Sequence, residues 1–217
     1  MNYHKDLMIA ITVTIIAALV VAGTTENIRQ YMEFSWEIDE GDKYVYEVTV
    51  FGHGKQGSVY IPLTQSVLNN TRILITIVTL PDIPLFINSK DFAKNVIEYL
   101  KTNVTYENGN LIPMTVYHEI NTVASRCFMP RGSWSILDSF YPNSVNQPEN
   151  ATIASYISVQ LQNYFYMGYI SYNDNQVSGW FGEVSKDTGV PASLTVWAWG
   201  SIGTYEYCYN MTLTLAT

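Results

Sequence analysis

The 217-residue chain carries a formal net charge of −8, and only 14% of its residues are charged. So few cations exclude nucleic acid, whose phosphates demand a basic face, and an anionic membrane surface as a direct partner. Solubility must come instead from Asn, Ser, Thr and Tyr, in a chain long enough for one ordinary domain with its own core.

Leu7 to Ala22 is an uninterrupted apolar run behind a short head bearing Lys5. As a helix at ~1.5 Å per residue it spans about 24 Å, short of the ~30 Å hydrocarbon core unless flanking residues extend it. It is apolar on every face and sits at the terminus, which does not fit a buried helix of a soluble domain. It reads as an N-terminal apolar helix with two alternative fates. As a secretory signal it ends on the small residues Ala22 and Gly23, where a peptidase can cut. As an uncleaved anchor it holds the membrane through residues 7–22, with Lys5 on the cytoplasmic side. Either fate places the remainder outside the cytoplasm, at the cell membrane or secreted. The expected plan is a signal or anchor over 1–23, a polar tether over 24–31, and a single β-rich domain over 32–217.

Strand signals begin at Met32, where Phe34, Trp36 and Ile38 alternate with polar residues. Asp39 to Asp42 reads as a turn into a second strand, Lys43 to Phe51, with Tyr44, Tyr46, Val48 and Val50 on one face. The two are expected to pair as a hairpin. Arg72 to Leu80 is a third strand, stopped by Pro81 and Pro84. Asp91 to Lys101 carries the stripe Phe92, Ala93, Val96, Ile97 and Leu100 and is the one predicted packed helix. Asn108-Gly109 then signals a hairpin with arms Val104 to Tyr106 and Leu111 to Ile120. Asn121 to Glu149 is irregular, with a short helical turn at Ser133 to Phe140. Ala151 to Thr217 reads as a meander with turns at Asn173–Asn175, Lys186–Gly189 and Gly200–Gly203.

Chemistry is sparse. Of the histidines, His4 lies in the head, His53 at an expected turn tip and His118 at the end of an expected strand. There is no HExxH, no CxxC and no nucleophile elbow, so no catalytic residue, metal or cofactor is assigned. The clusters Asp39, Glu40, Asp42 and Asn173, Asp174, Asn175 offer oxygen ligands for calcium but coincide with turns, where these residues belong for backbone reasons. In an oxidising compartment Cys127 and Cys208 are expected to form a disulfide, the alternative being two buried thiols. Asn69, Asn103, Asn150 and Asn210 head N-glycosylation sequons.

The aromatic content is the unusual feature: 17 Tyr, 8 Phe and 5 Trp, crowded towards the C-terminus. Tyr164, Tyr166, Trp180, Trp197, Trp199, Tyr205, Tyr207 and Tyr209 are the candidate ligand-binding residues, lining a cavity for an apolar ligand or stacking sugar rings. The competing reading is that these rings fill the core of the sheet.

The stretch Ser35 to Val48, SWEIDEGDKYVYEV, resembles the start of uncharacterised exported archaeal proteins with an N-terminal hydrophobic segment and a β-rich extracellular domain. Glu183 to Val190, EVSKDTGV, resembles their late hairpin. It is also similar to the hairpin of bacterial periplasmic lipoprotein carriers, whose fold is an unclosed antiparallel barrel wrapped on helices. The resemblance implies export and a β-rich domain, and transfers no functional residue.

The expected fold is α+β, mainly antiparallel β as a curved sheet or partly open barrel, with one packed helix and the N-terminal apolar helix. The expected role is a non-catalytic extracytoplasmic binding module for a lipid-like ligand or a glycan. Alternatives are a structural cell-surface protein acting by assembly, and a hydrolase.

Overall fold

The computed structural model describes residues 35–83, 100–132, 134, 145–147, 152–173 and 175–216, with the backbone alone at 145–147, 152–157 and 173. The N-terminal apolar segment and nearly all of the predicted helix Asp91–Lys101 lie outside these residues. Lys101 itself opens a strand. Among the described residues no helix is long and apolar enough to cross a membrane.

Ten strands form one antiparallel sheet: β1 (Lys43–Gln56), β2 (Val59–Ile61), β3 (Thr71–Thr79), β4 (Lys101–Tyr106), β5 (Val145–Gln147), β6 (Thr152–Gln160), β7 (Tyr164–Asn173), β8 (Gln176–Ser185), β9 (Pro191–Ile202) and β10 (Tyr205–Leu215). The order is β4-β3-β1-β10-β9-β8-β7-β6-β5, with β2 added to the far end of β1. The sheet is not closed: β4 and β5 are its two edges. The last five strands are the expected meander, each paired with the next. The chain then returns β10 to pair along β1, so the two ends of the domain meet in the middle of the sheet.

One face is apolar. Tyr46, Val48 and Val50 on β1, Ile73, Ile75 and Ile77 on β3, and Met211 and Leu213 on β10 are buried on it. Their period of two is the alternation that the pleat imposes. The side chain of Tyr46 crosses this inner face, and its hydroxyl donates to the Pro191 carbonyl at 2.7 Å. A tyrosine without accessible surface needs such an acceptor, and its own ionisation is pushed far up by burial.

The inner face is covered by a helix, α1 (Met114–Cys127), where a strand arm and an irregular segment were expected. Its buried residues Val116, Ile120, Val123, Ala124 and Cys127 follow the helical period. That stripe straddles Asn121, so a boundary placed there cuts it into two uninformative halves. Pro113 precedes the first turn, where its missing N–H costs nothing, and Arg126 sits in the last turn, favourable to the helix dipole. α1 packs on β4, β8 and β9. The Thr102 hydroxyl of β4 donates to Asn121 Oδ1 at 2.8 Å and fixes one flank.

Two further expectations change. Residues 35–38 form no strand paired to β1. Ser35 bridges Arg131, Glu37 pairs with the Arg131 guanidinium at 3.2 Å, and Ile38 is buried. The neighbours of β1 are β10 and β3, whose longer apolar runs offer it more burial. His53 is not at a turn tip, because β1 continues to Gln56, and His118 lies on α1.

The disulfide is also corrected: both cysteines are free. Cys127 is buried at the end of α1, against Gly182 of β8 on the inner face. Cys208 is exposed, between His53 and Trp199 on the opposite face. The sheet itself stands between the two sulfurs, and burial pushes the Cys127 thiol well above its ordinary range.

A thiol reagent should therefore modify Cys208 in the native protein and Cys127 only after denaturation, as read by intact mass. No modification under denaturing, non-reducing conditions would restore the disulfide. The approach of α1 to β8 gives a second test. A Cβ on Gly182 would lie 2.5 Å from Cys127 Sγ. Gly182→Ala should cost about 1–3 kcal/mol of unfolding free energy, and clearly less in a Cys127→Ala background. Equal costs in the two backgrounds would mean that the contact does not limit packing.

Candidate functional site

Strand parity sorts the eight candidate aromatics onto two faces. On β10, Tyr205, Tyr207 and Tyr209 point inward with Met211 and Leu213. Trp180 of β8 is inward too, opposite Val196. Trp197 and Trp199 pair with Asn210 and Cys208 and lie on the outer face. Tyr164 and Tyr166 join them there, and the Tyr166 hydroxyl donates to Glu183 Oε1 at 2.9 Å. The eight residues therefore do not form one site. The sequence placed Trp197 and Trp199 on one face correctly. It could not relate that face to the tyrosines of the next strand, because only the pairing register does so.

Glycines make room for the rings. A Cβ on Gly200 would lie 3.1 Å from the Tyr207 hydroxyl, and one on Gly54 would overlap the Tyr205 hydroxyl. Tyr205 and Tyr207 thereby stack, with centroids 6.0 Å apart and planes 20° apart. On the outer face, a Cβ on Gly179 would lie 2.7 Å from the Trp197 ring. Such strand glycines mark close approach of a neighbour.

A cleft of about 440 Å³ opens between α1 and strands β7 to β10. Its helical wall is His118, Glu119, Thr122 and Arg126, and its sheet wall includes Tyr169, Ser178, Trp180 and Tyr209. A recess of about 260 Å³ adjoins it, sharing Glu119, Gln176, Ala198 and Tyr209 and bounded further by Gln65, Tyr205 and Tyr207. Five of the eight aromatic candidates, Trp180, Trp197, Tyr205, Tyr207 and Tyr209, thus border this joined space. Glu119 and Arg126 were missed with the helix that carries them.

Glu119 is the polar centre. Gln65 Nε2 donates to both carboxylate oxygens, at 3.0 and 3.3 Å, and the Tyr209 hydroxyl donates as well. Burial nevertheless dominates and raises the Glu119 carboxyl above its ordinary 4.5, while these donors oppose the shift. Tyr209 is pushed up by burial and then by the neighbouring Glu119 charge.

A larger hollow, of about 580 Å³, lies on the outer side of the β9–β10 turn region and includes His53, Trp199, Glu206 and Cys208. The inner cleft, by contrast, joins rings to a partly desolvated carboxylate. The inner cleft is therefore the better candidate. Among the described residues no three His, Cys, Asp or Glu side chains converge on a metal position. The acidic turn has other duties: Asp42 Oδ2 accepts the Asp39 amide and Glu40 Oε1 the Leu80 amide, both at 2.9 Å. Of the sequons, Asn69, Asn103 and Asn210 are exposed, and Asn150 lies outside the described residues. Compared with known proteins, the chain matches no family model, no curated protein and no solved structure.

The raised carboxyl fixes the sign of a pH effect. Between 4.5 and the raised value the native state binds more protons at Glu119 than the unfolded chain, so stability falls as pH rises through that window and levels off above it. Urea unfolding at a series of pH values should show wild type losing ground to Glu119→Gln over this window. A difference that stays flat, or moves the other way, would show that Glu119 is not desolvated in the native state.

Proposed function

We propose that the chain is a non-catalytic, extracytoplasmic binding module whose ligand, a glycan, lies in the cleft between α1 and the inner face of the sheet. The observation that carries this reading is that Tyr169, Trp180, Tyr209 and the half-buried carboxylate of Glu119 border one space of about 440 Å³. Sugars present apolar ring faces that stack on aromatics and hydroxyls that need acceptors and donors. A lipid chain fits less well, because it would offer no hydrogen bonds to the polar lining of Gln65, Glu119, Gln176 and Ser178. Export is supported by the apolar run behind Lys5 and by exposed sequons, with the membrane held through residues 7–22 if that run is retained.

Titration calorimetry of the full chain against neutral and acidic oligosaccharides tests the site. Glu119→Gln should weaken binding about tenfold or more, the loss expected when a charge-assisted acceptor becomes neutral. Trp199→Ala, on the outer face, should leave binding unchanged. The reverse pattern would move the ligand to the outer face, and no binding across the series would end the glycan reading.

A second reading is assembly through the outer face. It is favoured by the exposure of Phe51 (70%), Trp199 (55%) and Tyr172 (43%), all on that face. Concentration-dependent sedimentation abolished by Trp199→Ala would support it instead.

A further inference from the structure

The cleft holds two hydrogen-bond donors whose presence the fold alone does not explain. Arg126 lines it at the end of α1, half-buried, and forms no ion pair among the described residues, where the arginine ion pairs are those of Arg72 and Arg131. The helix dipole accounts for a cation in this turn but does not provide a counter-ion. Trp180 is 6% exposed, and among the described residues its indole Nε1 has no hydrogen-bond partner, a burial that costs free energy until an acceptor is supplied. At the other end of the same cleft stands an acceptor, Glu119, seven residues earlier on the helix and so about 10 Å away along its axis.

We propose that the ligand is a carboxylated sugar, a uronic-acid-type glycan, with its carboxylate at Arg126 and Trp180 and its hydroxyls at Glu119. This rests on the reading of the cleft as the ligand site. A planar guanidinium matches a carboxylate with two parallel hydrogen bonds, and a partly desolvated cleft strengthens that pairing. Tyr169 and Trp180 flank the path between the two ends and suit ring stacking. The polarity is ordered: donors at one end and an acceptor at the other, the span of a short oligosaccharide. The net charge of −8 limits the length of such a ligand. A long polyanion would be repelled by the whole molecule, whereas one carboxylate meets its counter-charge locally.

The experiment uses matched probes: short oligouronides, as glucuronate, galacturonate and mannuronate series, and the methyl ester of each. The ester keeps the sugar skeleton and removes the charge at the cost of one added methyl group. Wild-type full-length protein should bind the acid form of at least one series tenfold or more tighter than its ester. Arg126→Gln should bring acid and ester to the same affinity, with the thermal midpoint near wild type. Glu119→Gln should weaken both forms and keep their ratio. Acid and ester binding alike to wild type would overturn the carboxylate assignment while leaving a glycan site in place. A ratio that persists in Arg126→Gln would overturn the role of Arg126. Failure of every acid and every ester to bind would overturn the glycan reading and this inference together.

Discussion

The structure depends on a single layer contact, the packing of α1 onto the inner face of an open sheet. An antiparallel sheet with one apolar face must bury that face, and among the described residues α1 is the only α-helix that does so. The contact is closest where Cys127 meets Gly182, a position at which any Cβ would hold the helix off. Pinned there and at Thr102–Asn121, α1 cannot also cover the strands towards the β9–β10 turn. The cleft is the space that this geometry leaves, bounded by one helix face and by inward residues of β7 to β10.

Within that space the electrostatics follow from incomplete burial. Glu119 is desolvated enough to resist ionisation, yet it is held by Gln65 and Tyr209 in a form ready to accept further hydrogen bonds. Arg126, two turns on, lines the same volume and has no carboxylate partner among the described residues. Among the described residues the indole N–H of Trp180, in the wall of the same cleft, also has no partner.

Much of the fold was legible in the sequence. The inward face of β1, the span of β3, the Asn108-Gly109 turn and the C-terminal meander all follow from alternation and turn residues, which act over a few neighbours. The helix was harder. Leu111 to Ile120 is rich in Ile, Val, Thr and Tyr, which favour strands, and the period of α1 emerges only when the window extends to Cys127. Losing the helix meant losing Glu119 and Arg126 as partners of the aromatic strands. The cysteines were paired on compartment and count alone, and neither says on which face of a sheet a side chain will stand.

By itself the sequence determined the strand periods, the turns and the identity of the rings, because these depend on backbone preferences and spacings within one segment. Only the tertiary structure decided which rings share a face, since that requires the register between β8, β9 and β10. A shift of one residue in that register would carry Trp180 or the Tyr205–Tyr209 row through the sheet to the other side. It also decided that Cys127 and Cys208 are separated by the sheet, and that a carboxylate and a guanidinium from α1 face the aromatic wall. Those are relations between distant segments, fixed by how α1 settles on the sheet and written in no single stretch of the chain.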